Sequence, residues 1–180
     1  MSLSHYHVAG STAGFKGSKR SLYEGGIRVP GLIEWPAVIK ENIVTDYPVV
    51  SSDLLPTICD ILGVPPTRSP VRSIDGETIM PLLTGQRAKR GSKIKWAYHI
   101  PGDFGAKHQA AISGDQYKVY ATYDHGKIES AALYNLVSDQ FENKDLSREK
   151  PELFKSMKAE LHRWWQSLVW SATEEVSCIS

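Results

Sequence analysis

GFKGSKRSLYEGGIRVPGLIEWP, running from Gly14 to Pro36, is the stretch from which the rest of the chain takes its bearings. Four glycines (Gly14, Gly17, Gly25, Gly26) and a basic cluster (Lys16, Lys19, Arg20) precede an apolar run of Ile27, Val29, Leu32, Ile33 and Trp35 that ends at Pro36. Glycine tolerates backbone angles and close approaches that a Cβ forbids, so Gly25-Gly26 marks a sharp turn. The reading is an anion-facing loop feeding a buried strand over 27–35. Backbone amides and ammonium groups can converge there on one oxyanion.

Working outward, Ser51-Ser52-Asp53 supplies an N-cap (Ser52 or Asp53) for a helix with apolar positions Leu54, Leu55, Ile58, Ile61 and Leu62. Pro56 suits its first turn, Gly63 stops it, and it is expected to pack on the strand at 27–35. Cys59 falls among these apolar positions as a small core residue. Residues 64–92 are rich in proline and basic side chains and read as a loop, with the run 86–93 as solvated surface. Beyond it, β-rich runs at 94–100, 109–113, 117–123 and 129–136 are separated by turns at Gly114-Asp115 and Asp124-His125-Gly126, the pattern of an antiparallel meander. A final helix from about Pro151 to Trp170 presents Leu153, Phe154, Met157, Leu161, Trp164, Trp165 and Leu168 on one face and should cover the meander. The tail 171–180 has no period and should fray.

Composition narrows the function classes. The 180 residues are 41% apolar and 23% charged with net charge +1, so no global field recruits nucleic acid or an anionic membrane, and anion binding has to be local. The apolar runs fall short of a membrane span, and the first residues lack the pattern of a signal peptide. Cys59 and Cys178 form neither a disulfide framework nor a metal-ligand spacing. His5 and His7, without carboxylate or thiolate company, read as part of a frayed terminus and not as a zinc site.

The order Lys19, four residues, Glu24-Gly25-Gly26-Ile27-Arg28-Val29-Pro30, a short apolar run and Trp35-Pro36 resembles the second signature region of the sulfatases, in the alkaline phosphatase superfamily. Ser52-Asp53-Leu54-Leu55-Pro56-Thr57, the Asp75-Gly76…Pro81-Leu82-Leu83-Thr84-Gly85 segment, and Leu133-Tyr134-Asn135-Leu136 followed by Asp139 and Glu142 extend the resemblance over residues 8–168. It implies an α/β (α+β) fragment: the last strand and helix of a sulfatase-type α/β domain (1–92), then a small antiparallel sheet packed against a C-terminal helix (93–170). It also implies that Lys19 contacts the sulfate of a sulfate-ester substrate, with Glu24 and Arg28 in structural roles. His99, in Trp96-Ala97-Tyr98-His99-Ile100-Pro101, matches a segment near the active-site mouth in several sulfatases. His108 follows a loop that could fold over the same mouth, and Asp103 lies within that loop.

Sulfatase chemistry in the family uses a formylglycine made from Cys or Ser in a Cys/Ser-x-Pro/Ala-x-Arg motif and a divalent cation, usually Ca2+. Neither cysteine has that context, since Cys59 precedes Asp-Ile-Leu and Cys178 precedes Ile-Ser, and no Asp/Asn cluster offers a cation cage. The expectation is therefore a C-terminal sulfatase part that binds no cofactor itself and has no turnover alone, from a family whose members are mostly exported. A phosphate- or phosphonate-ester hydrolase fragment of the same superfamily, and a non-catalytic module binding a sulfated glycan or a protein, stand as alternatives. The fragment reading further expects an exposed apolar surface around 27–35 and 54–62, which offers a route to homo-oligomers.

Overall fold

The computed structural model describes residues 10–40, 42–65, 74–86, 89–98 and 107–177. The chain divides into two compact units, one of Met1–Val29 with Lys95–Ser180 and one of Pro30–Ile94.

In the first unit the period-2 runs become a four-stranded sheet in the order β1-β2-β3-β4, with β1 Ile94–Tyr98, β2 His108–Gly114, β3 Tyr117–Asp124 and β4 Lys127–Asn135. Strands β2, β3 and β4 pair antiparallel, with Ile112 opposite Val119 and Val119 opposite Leu133. The β3–β4 hairpin turns through His125 and Gly126, both at positive φ, the geometry that Asp-x-Gly turns favour because its twist matches that of the strands. Helix α4, Pro151–Ser177, lies on one face of the sheet and extends beyond the expected 151–170. Its Met157, Leu161 and Trp165 close a core with Ala110, Ile112, Val119, Ala121, Tyr123 and Leu133, as the helical period predicts. The opposite face carries Ala111, Tyr120 and Tyr134 and is covered by Leu22, Tyr23 and Ile27 from the Gly-rich stretch. One sheet therefore joins the C-terminal helix and the N-terminal loop through its two faces.

In the second unit, a 3-10 turn at Ser51–Asp53 leads into α2, Leu54–Ile61, and a short helix α3 spans Met80–Leu83. Gly63, at φ +65°, stops α2 as expected. Asp53 does not cap α2: its carboxylate instead accepts from Val50 N (2.9 Å), Glu77 N (2.9 Å) and both terminal nitrogens of Arg90 (2.7 and 2.8 Å). Thr57 Oγ1 donates to Asp53 O (2.6 Å) and accepts from Ile79 N (3.0 Å). The Ser-Asp-Leu-Leu-Pro-Thr and Asp-Gly…Pro-Leu-Leu motifs are thereby stitched to each other.

Three expectations are corrected. The strand over 27–35 does not form: Ile27 ends helix α1 (Glu24–Ile27), residues 28–35 enter no strand, and Leu32 is 95% exposed. A strand needs a neighbour for its amides, and none is present among the described residues. Helix α2 forms and buries Pro56 and Thr57, and its Leu54, Leu55, Ile58, Ile61 and Leu62 stay open to solvent, as the apolar surface expected around 54–62 has it, but Cys59, expected as a small core residue, is only partly buried. Within the basic run, Arg90 is drawn inward by its fork onto Asp53, so it is not a solvated surface residue.

Candidate functional site

The Gly-rich stretch folds as a loop closed on itself. Gly25 N donates to Lys16 O at 2.8 Å, and a Cβ on Gly25 would stand 2.6–2.7 Å from the carbonyl oxygens of Phe15, Lys16 and Gly17. On Gly26 it would drive into the Ser21 carbonyl. The two glycines are thus required by close backbone approach within α1, while the sharp change of direction falls earlier, at Gly17 and Arg20. Ser21 N donates to Ser18 O (3.0 Å), closing a turn with Lys19 and Arg20 at its centre and Arg20 at φ +77°. That position ordinarily takes Gly or Asn, and an arginine there costs about 1–2 kcal/mol. Lys19 sits exposed on the crest, and among the described residues no hydrogen bond or ion pair engages its ammonium.

Among the other charges of the stretch, Lys16, Glu24 and Arg28 have partners, while the Arg20 side chain is exposed beside Lys19. Lys16 Nζ donates to Tyr134 Oη (3.3 Å) and Glu142 O (3.1 Å) and lies 4.5 Å from the centre of the Tyr23 ring. It therefore does not join Lys19 on a shared anion, contrary to the convergence expected of the basic cluster. Glu24 is buried and bonded to Lys118 Nζ at 2.8 Å, with Arg28 at 3.8 Å, which is the pairing expected of charges beside a Gly-Gly turn. Lys118 and Glu142, both fully buried, complete the cluster: Lys118 Nζ is 3.0 Å from Glu142 Oε1, and Glu142 Oε2 accepts from Glu24 N at 2.7 Å. Burial pushes the Glu142 carboxyl above its ordinary value, with Lys118 and the Glu24 amide pulling the other way. Tyr23, stacked on Tyr120 with ring centres 4.1 Å apart, is pushed up to about 12, first by burial and then by Tyr134. Sequence reading missed the roles of Lys118 and Glu142, although Glu142 lies in a motif that carries the family resemblance.

His99 and Asp103 lie outside the described residues. His108 opens β2 on the α4 side, its ring 5.5 Å from that of Trp165, whereas its neighbour Gln109 points to the side of the Lys19 loop. Among the described residues no group of three His, Cys, Asp or Glu side chains could hold a metal ion, and Cys59 is not set in a formylglycine motif. These residues do not fit the cation or the oxidised nucleophile of sulfatase chemistry.

An antiparallel meander backed by one helix, with a lone lysine raised on a Glu-Gly-Gly loop, defines a sulfatase-type C-terminal region. The family described as N-sulphoglucosamine sulphohydrolase, C-terminal, matches residues 14–167, and the chain belongs to this sulfatase family. A sulfatase of Formosa agariphila is 31% identical over 159 residues, covering 81% of this chain and 28% of that protein. Human steryl-sulfatase is 38% identical over 89 residues, covering 49% of this chain and 15% of that protein. The crystal structure of Ps i-CgsB superposes with a TM-score of 0.67 at 27% identity, covering 84% of this chain and 32% of that one. The chain thus spans less than a third of the length of these relatives. Among the described residues, no helix is long and apolar enough to cross a membrane.

Proposed function

We propose that this chain is the part of a sulfuric ester hydrolase that grips the sulfate group, with Lys19 as the sulfate-contacting residue. The observation that carries this is the contrast within one loop: Lys16, Glu24 and Arg28 each have a polar partner in the fold, while Lys19 is held out on a constrained turn beside the exposed Arg20. A compact ammonium at a fixed position stabilises the negative charge that builds on sulfuryl oxygens as the ester bond breaks. In the full-length relatives a formylglycine would supply the nucleophile and a divalent cation would polarise the ester. The described residues provide neither, so turnover by this chain alone is not expected. Relatives named sulfatases favour sulfate over phosphate esters. A related structure was solved in complex with k-i-k-neocarrahexaose, which supports a carbohydrate sulfate among the candidates without selecting it. His99 keeps its proposed place at the substrate mouth. His108 could serve there only from the α4 side of the sheet. Export from the cytoplasm is the corresponding expectation for localisation.

The open apolar face of α2, together with Leu32 and Val44, suits burial against further sulfatase sequence or against a second copy of the chain. Sedimentation then shows self-association of the purified chain.

The test of Lys19 is titration of the chain with inorganic sulfate, followed through the amide resonances of Ser18–Ser21, alongside phosphate as competitor. Saturable shifts that vanish in Lys19→Ala and respond to sulfate before phosphate are expected. Equal binding by Lys19→Ala would remove the assignment.

A further inference from the structure

A turn that presents a single ammonium is useful only if its crest is held still, and Arg20 sits there in a conformation that arginine resists. Among the described residues, one side chain from the sheet reaches across to that crest. Gln109, in β2, donates from Nε2 to Arg20 O at 3.1 Å and accepts from Leu22 N on Oε1 at 3.1 Å. An amide is the group for this task, because it offers one donor and one acceptor side by side, matching the carbonyl and N–H that flank Ser21. Leu22 is buried and its N–H, at a partly buried position, is taken up by Gln109. Strand alternation explains the reach: Gln109 and Ala111 face the loop while Ala110 and Ile112 face α4. The ion cluster of Glu24, Lys118 and Glu142 fixes the base of the loop, and Gln109 fixes its tip.

We infer that Gln109 is a positioning residue for sulfate recognition: its side-chain amide clamps the Arg20–Leu22 backbone and thereby sets the position of the Lys19 ammonium. This rests on the assignment of Lys19 as the sulfate contact. Gln109 touches no substrate in this account; it acts through the loop.

The test uses the whole chain with Gln109→Ala and with Gln109→Met, the latter matching the glutamine in length but making no hydrogen bonds. Three quantities are read: sulfate affinity by titration, exchange of the Leu22 amide, and the strong intraresidue amide–α-proton signal that positive φ produces at Arg20. Two lost hydrogen bonds of ordinary strength correspond to a fall of up to about thirtyfold in the fraction of loops in the competent shape, and so to a sulfate affinity weaker by up to about thirtyfold. The Arg20 signal should fade and Leu22 exchange should accelerate, while the amides of β3 and β4 exchange as in the parent chain. If both variants bind sulfate as tightly as the parent while Lys19→Ala does not bind, the clamp is refuted and the Lys19 assignment stands. If Lys19→Ala binds like the parent, or the parent shows no saturable binding, the assignment fails and takes the clamp with it. Unchanged Arg20 and Leu22 signals in the variants would also overturn the inference.

Discussion

Replacing Lys118 with methionine tests the packing argument most directly. Lys118 Nζ lies 2.8 Å from Glu24 Oε1 and 3.0 Å from Glu142 Oε1, and Lys118 and Glu142 are both wholly buried. Its removal strands two carboxylates out of water. The nearest remaining help is Arg28, 3.8 Å from Glu24 and 42% exposed at its side chain. Breaking a buried ion pair from one side costs about 3–5 kcal/mol, a large fraction of the roughly 5–15 kcal/mol that holds a domain folded. The effect has a direction in pH. Burial raises the Glu142 carboxyl above 4.5, so the folded chain holds a proton that the unfolded chain has released, and stability falls as pH climbs through that window. Taking away Lys118 removes the strongest influence opposing the rise and widens the window upward. The cost of Lys118→Met should therefore be larger at pH 7 than at pH 5. Urea unfolding followed by the fluorescence of Trp165, which sits in the α4 core, measures both. Adding Glu24→Gln and Glu142→Gln should recover most of the loss at pH 7, since the uncompensated charges are gone. A penalty below about 1 kcal/mol at pH 7, or one independent of pH, would refute the reasoning.

Two further predictions concern the backbone of the loop and the second unit. Gly26→Ala should break the closure of the loop, because the new methyl would overlap the Ser21 carbonyl; loss of sulfate-induced shifts at Ser18–Ser21 with the meander intact would confirm it. In the second unit burial pushes the Asp53 carboxyl up, but Arg90 and the amides of Val50 and Glu77 outweigh it and hold the group below its ordinary 3.8. That stabilisation is present above the unfolded value and disappears as pH drops through the folded one. Arg90→Met should cost about 3–5 kcal/mol at neutral pH, read as faster exchange of the Glu77 and Ile79 amides, and the difference from the parent should shrink below about pH 4.

How far the sequence could be read depended on the range of the interactions involved. The hairpins follow from local alternation and turn chemistry, and α4 from its period, so Ile112, Val119, Leu161 and Trp165 could be placed in the core from pattern alone. Residues 28–35 could not, because apolar side chains specify a strand only when a partner takes its backbone groups. Lys19 stood out through the spacing to Glu24-Gly25-Gly26, which is a local motif. Gln109 did not, since nothing in a β-rich run distinguishes a glutamine that holds a distant loop from one that faces solvent. Arg90 was hidden in a basic run, where composition speaks for solvation and only the fold reveals the carboxylate of Asp53, 37 residues away.

The compact unit that carries Lys19 is assembled from both ends of the sequence, with Pro30–Ile94 lying between them along the chain. Glu24 and Lys118 are 94 positions apart, yet they share one buried charge balance with Glu142. For gene shuffling among related chains, a crossover anywhere within residues 30–94 would place a loop from one parent on a sheet from the other. Such a chimera inherits Glu24 separately from Lys118, Gln109 and Glu142, so these positions are expected to travel as a set. A productive exchange would have to transplant residues 14–29 together with the meander.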